Sequence, residues 1–466
     1  MYKTVCIILK NKDVELRNYC SSQCKKAKLL KNAITYRLRQ LFFAWQKDYI
    51  SLSVQEKEVL DEFYTTYDKY LSINKEHMFP TYNQFERMLR NTKNPDFFNG
   101  LPAHSAQYLI KNGLQDFKSY FNALKEYREN PSKFTSKPKL PKYAKSDEVT
   151  FSSSNQECKI IDGQLKLPKL NTRLNLGTLK ITDKMRLYRV QITPYYDTYK
   201  VCLVFEIFNG LNEVKEVKKL NKKNVLGIDL GVDNIVSTSN NCGLSPFVVK
   251  GNVIKSRIQW YNKLLAKYTS QLSISTKQSL ENSKGSKYNS KRITKLNKYR
   301  KNYVNDKYNK IASYIVNYCK DNDIGTIVIG KNDQWKSEID MQKKDKQNFV
   351  FISHSVLVNK IKRIAMNIGI NVIVQEESYT SKASFLDNDD IPNYEKDKKD
   401  TKTSSYKYKF SGKRIKRGLY KTKEGILINA DVNGASNIIR KALGNNVFND
   451  IKSFDYLIKT VIAVRI

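Results

Sequence analysis

Three carboxylate positions in this sequence stand at the ends of elements that its apolar patterns predict. Asp229 ends the apolar run of the strand NVLGIDLGV, Glu376 and Glu377 close the strand NVIVQEE, and Asp431 opens the helix ADVNGASNIIRKAL. A single acid at such a place is usually a turn residue or a helix N-cap. Acids on a central strand, a neighbouring strand and a facing helix can converge, however, and phosphodiester hydrolysis commonly uses two divalent ions held by a few carboxylates. Together the positions predict a magnesium site that hydrolyses phosphodiester bonds.

The elements around these acids alternate between strands and helices. Buried-type strands are predicted at 224–232, 326–331 and 371–377. Helical patterns lie between them, a long one over about 255–321 and a shorter one in SVLVNKIKRIAMNI. This alternation predicts an α/β sheet with both faces covered, and such sheets place their chemistry at strand ends.

The first half of the chain follows two other patterns. Apolar residues three and four apart predict helices from about 22 to 127, and the basic stretch at 131–141, PSKFTSKPKLP, ends that pattern as a linker. Short alternating runs punctuated by Gly, Pro, Asn and Asp follow from 149 to about 209. They predict a small β-barrel or sandwich. We therefore expect a multidomain α+β protein.

The charge balance selects the class of partner. In 466 residues there are 83 Lys and Arg against 45 Asp and Glu, which gives a formal net charge of +38. Self-repulsion of this size destabilises a compact chain unless a polyanion neutralises it, so the expected partner is nucleic acid or an anionic membrane. Nucleic acid is favoured, because no stretch approaches the roughly 18 consecutive apolar residues of a membrane span. The N-terminal residues lack the pattern of a secretory signal, and we expect a cytoplasmic protein without a membrane partner.

Two basic stretches are the candidate nucleic-acid contacts. Residues 284–310 hold ten Lys or Arg and a single acid, whereas residues 402–423 hold nine and no acid. A solvated loop is the competing interpretation of the second stretch, but aromatic residues interrupt it and are costly to leave in water. These aromatic residues are Tyr406, Tyr408, Phe410 and Tyr420. The candidate contacts in the two stretches are Lys284, Lys287, Lys291, Arg292, Lys295, Lys298, Arg300, Lys407, Lys409, Lys413, Arg414, Lys416 and Arg417.

The cysteines and histidines do not predict a metal centre. Seven cysteines form an odd set without the spacing of a disulfide framework, and we expect reduced thiols. Cys20 and Cys24 are spaced as half a metal site, but no second Cys or His pair follows at a finger-like spacing. His77, His104 and His354 are far apart in sequence and are expected in surface or packing roles.

Several segments resemble one known family. VLGIDLGVDNIVSTSN, SYTSKASF and INADVNGASNIIRKA closely resemble the RuvC-nuclease segments of the transposon-encoded TnpB proteins, the ancestors of type V CRISPR effectors. FTSKPKLPKY followed by GQLKLPKL is similar to the wedge region of that family, and IVIGKNDQWK and SGKRIKRGLY are similar to its later half. The resemblance covers most of residues 130–445, whereas over residues 11–127 it is one of position only.

The resemblance implies a set of domains. These are an RNase H-like (RuvC) α/β nuclease domain, an oligonucleotide-binding (OB)-like β-barrel wedge domain, and a helical recognition domain inserted in the wedge. It also implies that guide RNA directs cleavage of DNA beside a short target-adjacent motif. The expected ranges are 1–10 and 128–218 for the wedge, 11–127 for the helical recognition domain, 219–379 and 425–466 for the nuclease, and 380–424 for a basic target-binding insertion.

The catalytic acids of the family carry over in part. Asp229 in GIDLG and Asp431 in ADVN match its first and third carboxylates. Most members have the middle Glu at the end of the strand that here reads TIVIG, where this chain has Gly330. One branch carries the acid on the next strand, just before the YTS triplet, which here indicates Glu377. Glu376 is the alternate, since neighbouring side chains of a strand point to opposite faces.

The family's target-binding insertion usually carries two Cys-x-x-Cys pairs around a zinc ion, and this chain departs from that pattern. The positions of the first pair read Ser384 and Asp387, and no cysteine lies between Tyr379 and Gly425. Thiolates therefore cannot hold zinc here. We expect a degenerate finger that needs no zinc.

The expected function is RNA-guided cleavage of DNA by a two-metal mechanism. The expected cofactors are two Mg²⁺ ions at Asp229, Glu377 and Asp431, with Mn²⁺ as a substitute, and a guide RNA. The partners are a guide and scaffold RNA and double-stranded target DNA, bound by a monomer or a dimer. One alternative is a nuclease-inactive RNA-guided DNA-binding protein. A second alternative is an actin-like ATPase or sugar kinase, since these proteins often contain the motif GIDLG. They also need loops with paired glycines, and this chain contains no Gly-Gly dipeptide.

Overall fold

The computed structural model describes residues 2–66, 79–177, 179, 181–208, 220–277, 290–331, 353–392 and 408–466. The chain forms two compact units, Met1–Glu213 and Val214–Ile466, called here the N-terminal and C-terminal units. Each unit combines helices with β-sheet, so the expected multidomain α+β architecture is present. The finer domain boundaries stay predictions. None of the helices in the described ranges is long and apolar enough to cross a membrane.

The N-terminal unit is built from a group of helices and two antiparallel sheets. Its α-helices are α1 (Val14–Ala44), α2 (Val54–Thr66), α3 (Tyr82–Asn91) and α4 (Ala103–Glu129). Its strands are β1 (Tyr2–Ile8), β2 (Phe151–Ser154), β3 (Lys159–Ile161), β4 (Gln164–Lys166), β5 (Leu174–Asn175), β6 (Met185–Tyr195) and β7 (Thr198–Ile207). One sheet has the order β1, β7, β6, β2, and the other has the order β3, β4, β5. The OB-like barrel of the wedge stays a prediction.

The helices and the larger sheet of this unit share one core. Leu30, Ile34 and Leu38 form a fully buried stripe on α1, at the spacing of one helix face. A Cβ added to Gly113 of α4 would lie 2.6 Å from Ile34 Cγ2, so α4 approaches α1 as closely as a glycine permits. Phe205 of β7 belongs to the same buried cluster, which ties the helices to the sheet.

Two cysteines of this unit differ from the expectation of reduced thiols. Cys6 of β1 and Cys202 of β7 are direct partners across the antiparallel pair, with Cα atoms 4.1 Å apart, and they form a disulfide. Strand pairing across a separation of 196 residues brings them together, which sequence spacing alone does not indicate. Cys20 and Cys24 are buried, and burial raises the pKa of the Cys20 thiol to about 12 and that of Cys24 further. Both act as core residues.

The C-terminal unit contains a six-stranded mixed sheet covered by long helices. Its helices are α5 (Asn252–Lys277), α6 (Lys291–Asp321), α7 (His354–Met366), α8 (Ala430–Leu443) and α9 (Asp455–Ile458). Its strands are β8 (Asn221–Asp229), β9 (Asn234–Asn240), β10 (Phe247–Lys250), β11 (Ile324–Gly330), β12 (Asn371–Gln375), β13 (Lys413–Lys416), β14 (Leu419–Lys421), β15 (Leu427–Asn429) and β16 (Ile462–Val464). The sheet order is β12, β11, β8, β9, β10, β16, and β8, β11 and β12 run parallel.

Helix α8 packs directly on the centre of this sheet. A Cβ added to Gly227 of β8 would lie 2.5 Å from the carbonyl oxygen of Ala435, so only a glycine allows the two backbones to approach this closely. A hydrogen bond of 2.7 Å between the hydroxyls of Ser239 and Ser436 joins β9 to the same helix. The carboxyl ends of the three parallel strands therefore meet beside the first turn of α8.

A hydrogen-bonded cluster of two carboxylates holds the first residues of the predicted insertion. Asp389 accepts from the backbone N–H of Ser384 at 2.7 Å and from the hydroxyl of Ser411 at 2.6 Å. Asp387 accepts from the backbone N–H of Lys423 at 2.9 Å and from the Ser411 hydroxyl at 3.1 Å. These five residues, called here the Asp389 cluster, join the turn at Ser384 to the ends of the small sheet β13, β14, β15.

We predict that the Asp389 cluster stabilises the insertion without a metal. Asp387→Ala and Asp389→Ala should each lower the melting temperature, because each change removes the acceptor of a backbone N–H and of the Ser411 hydroxyl, and a hydrogen bond contributes about 0.5–1.5 kcal/mol. Thermal unfolding with and without a zinc chelator checks this, with the exposed Asp390→Ala as the control. The chelator should have no effect on the wild type. A large loss of stability on chelation would contradict the prediction.

The same cluster gives a pH dependence. Burial raises the pKa of Asp387, but hydrogen bonds from Ser384, Lys423 and Ser411 outweigh it and lower the pKa overall. A carboxyl whose pKa is lower in the folded state contributes stability above its unfolded pKa, near 3.9, and loses it as the pH falls further. The difference in melting temperature between wild type and Asp387→Ala should therefore shrink below about pH 4.

Candidate active site

Asp229 is the last residue of β8 and lies beneath the first turns of α8. A Cβ added to Gly434 would come within 2.8 Å of Asp229 Oδ2, so the glycine leaves the room that the carboxylate needs. Burial, followed by the negative charge of Asp431, raises the pKa of Asp229 to about 7. The two aspartates are thus neighbours, although they are 202 residues apart in sequence.

Glu377 lies next to Asp229, beyond the end of β12. Burial raises its pKa to about 8, and the charges of Asp229 and then Glu376 contribute. Its carboxylate fills the space above Gly330, where an added Cβ would lie 2.7 Å from Glu377 Oε2. Gly330 is the last residue of β11, the position at which most family members carry their middle Glu. The side chain of Glu377 therefore reaches over the neighbouring strand into that place.

Glu376 has a different environment from Glu377. Its Oε2 accepts from Lys441 Nζ at 2.7 Å, and its Oε1 accepts from the backbone N–H of Ser378 at 2.6 Å. Burial raises the pKa of Glu376, but these bonds outweigh it and lower the pKa overall. The sequence analysis expects the two glutamates to point to opposite faces of a strand. Strand β12 ends at Gln375, however, so neither glutamate lies on it. The turn after the strand, with Lys441 as its anchor, separates the two side chains.

Asp431 lies in the first turn of α8, but it is not the N-cap. The side chain of Asn429 caps the helix by accepting from the backbone N–H of Asp431 at 2.9 Å and of Val432 at 3.2 Å. The Asp431 carboxylate is therefore available for other partners. Asn234 Nδ2 donates to its Oδ2 at 2.8 Å, and Arg414 Nη2 donates to its Oδ1 at 3.3 Å. The positive end of the helix also favours an anion at this position.

The chemistry of the three acids fits a divalent cation. Burial raises the pKa of both acids, with the charge of Asp431 adding to the effect on Asp229 and that of Asp229 to the effect on Glu377, so a divalent cation would let both ionise at neutral pH. Within the described ranges no three Asp, Glu, His or Cys side chains are already grouped as metal ligands. Asp431 instead turns one oxygen to Arg414 and the other to Asn234. The bond to Arg414 would have to open for Asp431 to join a shared cation.

A polar cleft of about 560 Å³ opens beside Asp431. Basic side chains line it together with backbone and amide groups from the loop after β8 and from β15. Arg417 pairs with Asp233, which also accepts from Lys255 Nζ at 2.8 Å, and Lys250 donates to Asn234 at 3.0 Å. A cleft that combines carboxylates with several cations suits an anionic substrate such as a phosphodiester.

The predicted basic contacts fall into three groups. The first group lies on α6, where three residues are exposed and two are half-buried: Lys291, Arg292 and Lys295, and then Lys298 and Arg300. The second group is exposed on or just before β13 and consists of Lys409, Lys413 and Lys416. Arg414 and Arg417 line the cleft of Asp431. Lys284, Lys287 and Lys407 lie outside the described residues. The structure thus brings two of these residues, both from the insertion, to the candidate site.

Two features of the site differ from the sequence analysis. Tyr420 was grouped with aromatic nucleic-acid contacts, but it is fully buried and its hydroxyl donates to the carbonyl of Lys382 at 2.8 Å. It is a core residue, because β14 pairs on both sides within its small sheet. Asn234 and Lys441 were missed, although each holds a carboxylate of the site. In the sequence they are indicated only by where they stand: Asn234 shortly after the GIDLGV motif, and Lys441 near the end of the helix that begins with ADVN.

The fold and the site define an α/β domain with acidic residues at one sheet edge. Residues 211–336 match the model of the OrfB_IS605 family, described as a probable transposase. The resemblance to the TnpB family is thereby confirmed over a segment that includes Asp229. No curated protein gives a significant match.

Several solved structures are similar to the chain at low identity. A Cas12f1–sgRNA–target DNA complex matches at 14% identity and a TM-score of 0.46, over 90% of this chain and 82% of that chain. A CRISPR–Cas12f ternary complex matches at 15% identity and a TM-score of 0.30, over 92% and 85%. An AacC2c1–sgRNA binary complex matches at 9% identity and a TM-score of 0.25, over 91% and 70%.

We predict that neutralising either buried acid stabilises the metal-free protein. Unfolded carboxyls titrate near pH 4, whereas the pKa values of Asp229 and Glu377 are about 7 and 8. The unfolded state therefore loses these protons first, and the free energy of unfolding falls as the pH rises from about 4 to about 8. Asp229→Asn or Glu377→Gln should raise the melting temperature in EDTA at pH 8 by a few degrees, on the order expected for about 1 kcal/mol or more.

Thermal unfolding at pH 4 and pH 8 checks this prediction. The gain should nearly vanish at pH 4, where both acids are protonated in either state. The exposed Asp450→Asn is the matched control and should change little at either pH. Equal melting temperatures of wild type and both variants at pH 8 would show that the acids do not repel each other in the folded protein.

Proposed function

We propose that this protein is an RNA-guided DNA endonuclease of the TnpB kind, which acts in the cytoplasm and cuts DNA beside a short target-adjacent motif. The observation that carries the proposal is that Asp431 and Glu377, from two other parts of the chain, each lie close enough to Asp229 for their charges to interact with it. The match to a family of probable transposases supports DNA as the substrate. The parallel strands that end at these acids support an RNase H-like assignment for the domain.

Asp229, Glu377 and Asp431 would hold Mg²⁺, which when bound activates a water and stabilises the leaving oxygen of a phosphodiester. The residues of the chain itself have three tasks around that chemistry. Asn234 keeps Asp431 oriented through its 2.8 Å bond. Arg414 and Arg417 are placed to bind the phosphates of an incoming strand. The raised pKa of Asp229 and Glu377 means that a cation must displace their protons.

Guidance by RNA accounts for the charge of the whole chain. A net charge of +38 suits a protein that holds a scaffold RNA, a heteroduplex and displaced DNA through their phosphates. Sequence recognition is then left to base pairing, and the protein reads only the short duplex motif and backbone shape. In this proposal the wedge and nuclease surfaces hold the RNA, and the helical residues 11–127 lie beside the motif duplex.

We predict that Asp229→Ala and Asp431→Ala each abolish cleavage and leave RNA and target binding nearly intact. Each change removes one carboxylate from the proposed metal site without removing a basic contact. Plasmid cleavage by the purified ribonucleoprotein in Mg²⁺, together with footprinting on the target, measures both properties. Cutting at the wild-type rate by either variant would refute the assignment. If the wild type cuts no target in a library of flanking motifs but still footprints, the protein is a nuclease-inactive binder.

A second prediction separates the two adjacent glutamates. Glu377→Gln should abolish cleavage, whereas Glu376→Gln should retain most of it, because an amide still accepts from Lys441. Gly330→Ala should resemble Glu377→Gln, since the added Cβ would lie 2.7 Å from the Glu377 carboxylate and 2.4 Å from Ile438 Cδ1. Cleavage rates under single-turnover conditions check all three variants, with melting temperatures as the test of folding. Loss of activity in Glu376→Gln alone would exchange the two roles.

A further inference from the structure

Helices α5 and α6 carry an aromatic cluster that the candidate site does not use. Trp260 of α5 contacts Tyr299 of α6 edge to face, with centroids 5.7 Å apart, and Tyr299 stacks on Tyr303 at 6.0 Å. The guanidinium of Arg257 lies 5.4 Å, 5.8 Å and 5.5 Å from the centroids of these three rings. These four residues are called here the Trp260 cluster.

The Trp260 cluster is open to solvent. Trp260 and Tyr299 are each 41% exposed, although large aromatic side chains contribute most when they are covered. Neighbouring residues hold the platform in place from below. The hydroxyl of Tyr261 donates to Asn297 at 2.6 Å, and the guanidinium of Arg300 lies 4.9 Å from the Tyr261 ring. The exposed rings are therefore part of a rigid helix pair and keep their positions before a partner arrives.

The charge around the cluster selects a polyanion as that partner. The sequence of α5 contains no Asp or Glu, and α6 has none before Asp306. Asp306 is itself paired with Lys310 at 2.9 Å. Exposed basic residues lie on the same two helices, namely Lys263, Lys267, Lys291, Arg292 and Lys295. A second copy of this strongly basic chain would meet like charge here, which disfavours self-association through this face.

Exposed rings beside cations match the chemistry of an unpaired nucleic-acid strand. Bases stack on aromatic side chains whatever their identity, and arginine adds a cation–π contribution. A duplex hides the faces of its bases within its own stack, so only an unpaired strand can use the rings. The phosphates of that strand would lie among the lysines of the two helices.

The position of the cluster favours DNA as the source of that strand. Helix α5 begins at the candidate site, since Asn252 lines the cleft of Asp431 and Lys255 binds Asp233 at 2.8 Å. Trp260 follows Lys255 by five residues, which is about 8 Å along the helix axis. A strand that leaves the cleft along α5 meets the cluster after one or two nucleotides.

We propose that the Trp260 cluster is a stacking platform for the bases of the unpaired DNA strand that the cleft receives. The inference rests on the proposed function only in taking DNA as the ligand of the cleft. The platform would hold the strand by base faces and phosphates, without reading its sequence. It would thereby keep the strand in the cleft after the duplex has opened.

The experiment uses the full-length protein loaded with a guide RNA that lacks adenosine runs. Fluorescence anisotropy in EDTA measures binding of labelled oligo(dT), oligo(U) and a DNA duplex. Trp260→Ala and Tyr299→Ala should weaken oligo(dT) binding about fivefold to a hundredfold, the range for loss of base stacking. Trp260→Phe, which keeps a ring, should retain most of the affinity. The dependence on salt should stay unchanged in Trp260→Ala, because no phosphate contact is lost.

A direct signal of stacking complements the affinities. 2-Aminopurine in an unpaired DNA strand should lose fluorescence on binding to wild type and to Trp260→Phe, but much less on binding to Trp260→Ala. Wild-type affinity for oligo(dT) in both alanine variants would overturn the proposal. Weakened binding of oligo(U) alone would overturn it as well, because the platform would then belong to RNA.

The design separates this proposal from the proposed nuclease. Binding in EDTA does not depend on cleavage, so an enzyme that cuts nothing can still bind oligo(dT) through the cluster. Melting temperatures and duplex binding of the variants test folding, and both should match the wild type. If oligo(dT) binding depends on Trp260 while cleavage fails in every flank, only the nuclease proposal falls.

Discussion

Repulsion between buried carboxylates is the interaction on which the C-terminal unit is organised. Burial raises the pKa of both Asp229 and Glu377, and the charge of Asp431 adds to the effect on Asp229, as that of Asp229 adds to the effect on Glu377. A fold selected for stability alone would separate these groups or supply a buried cation. Here Glu376 has the buried partner, Lys441, and the neighbouring Glu377 does not. Lys441 binds Glu376 directly and acts on Glu377 only through its charge, which burial and the neighbouring acids outweigh.

Glycines set the geometry that this repulsion requires. Gly227 lets α8 approach the sheet, Gly434 makes room for Asp229, and Gly330 makes room for Glu377. A Cβ at any of these positions would lie within 3.0 Å of a neighbouring atom, so either the helix or a carboxylate would have to shift. Gly330 and Glu377 therefore depend on each other, because a side chain at position 330 would take the space of the Glu377 carboxylate.

The sequence allowed the elements to be predicted well and their contacts less well. The last helix begins and ends where its pattern indicated, and the strands around Asp229 and Gly330 agree to within a few residues. The contacts that failed depend on tertiary pairing. Asn429, not Asp431, caps α8, because the helix already begins at Ala430 and the cap is the residue before it. The bond from Arg414 to Asp431 could not be expected, because it needs β13 to fold back through β14 and β15.

The insertion and the carboxylates are joined through a single helix. Helix α8 carries Asp431 in its first turn. The same helix holds the insertion, because Arg440 donates to the carbonyl of Asp389 at 2.8 Å and Asn437 donates to the carbonyl of Ala383 at 2.7 Å. The Asp389 cluster therefore fixes more than its own loop. It fixes the small sheet from which Arg414 reaches Asp431. The cluster can do so because the backbone N–H groups of Ser384, Ser411 and Lys423 all donate to its two carboxylates.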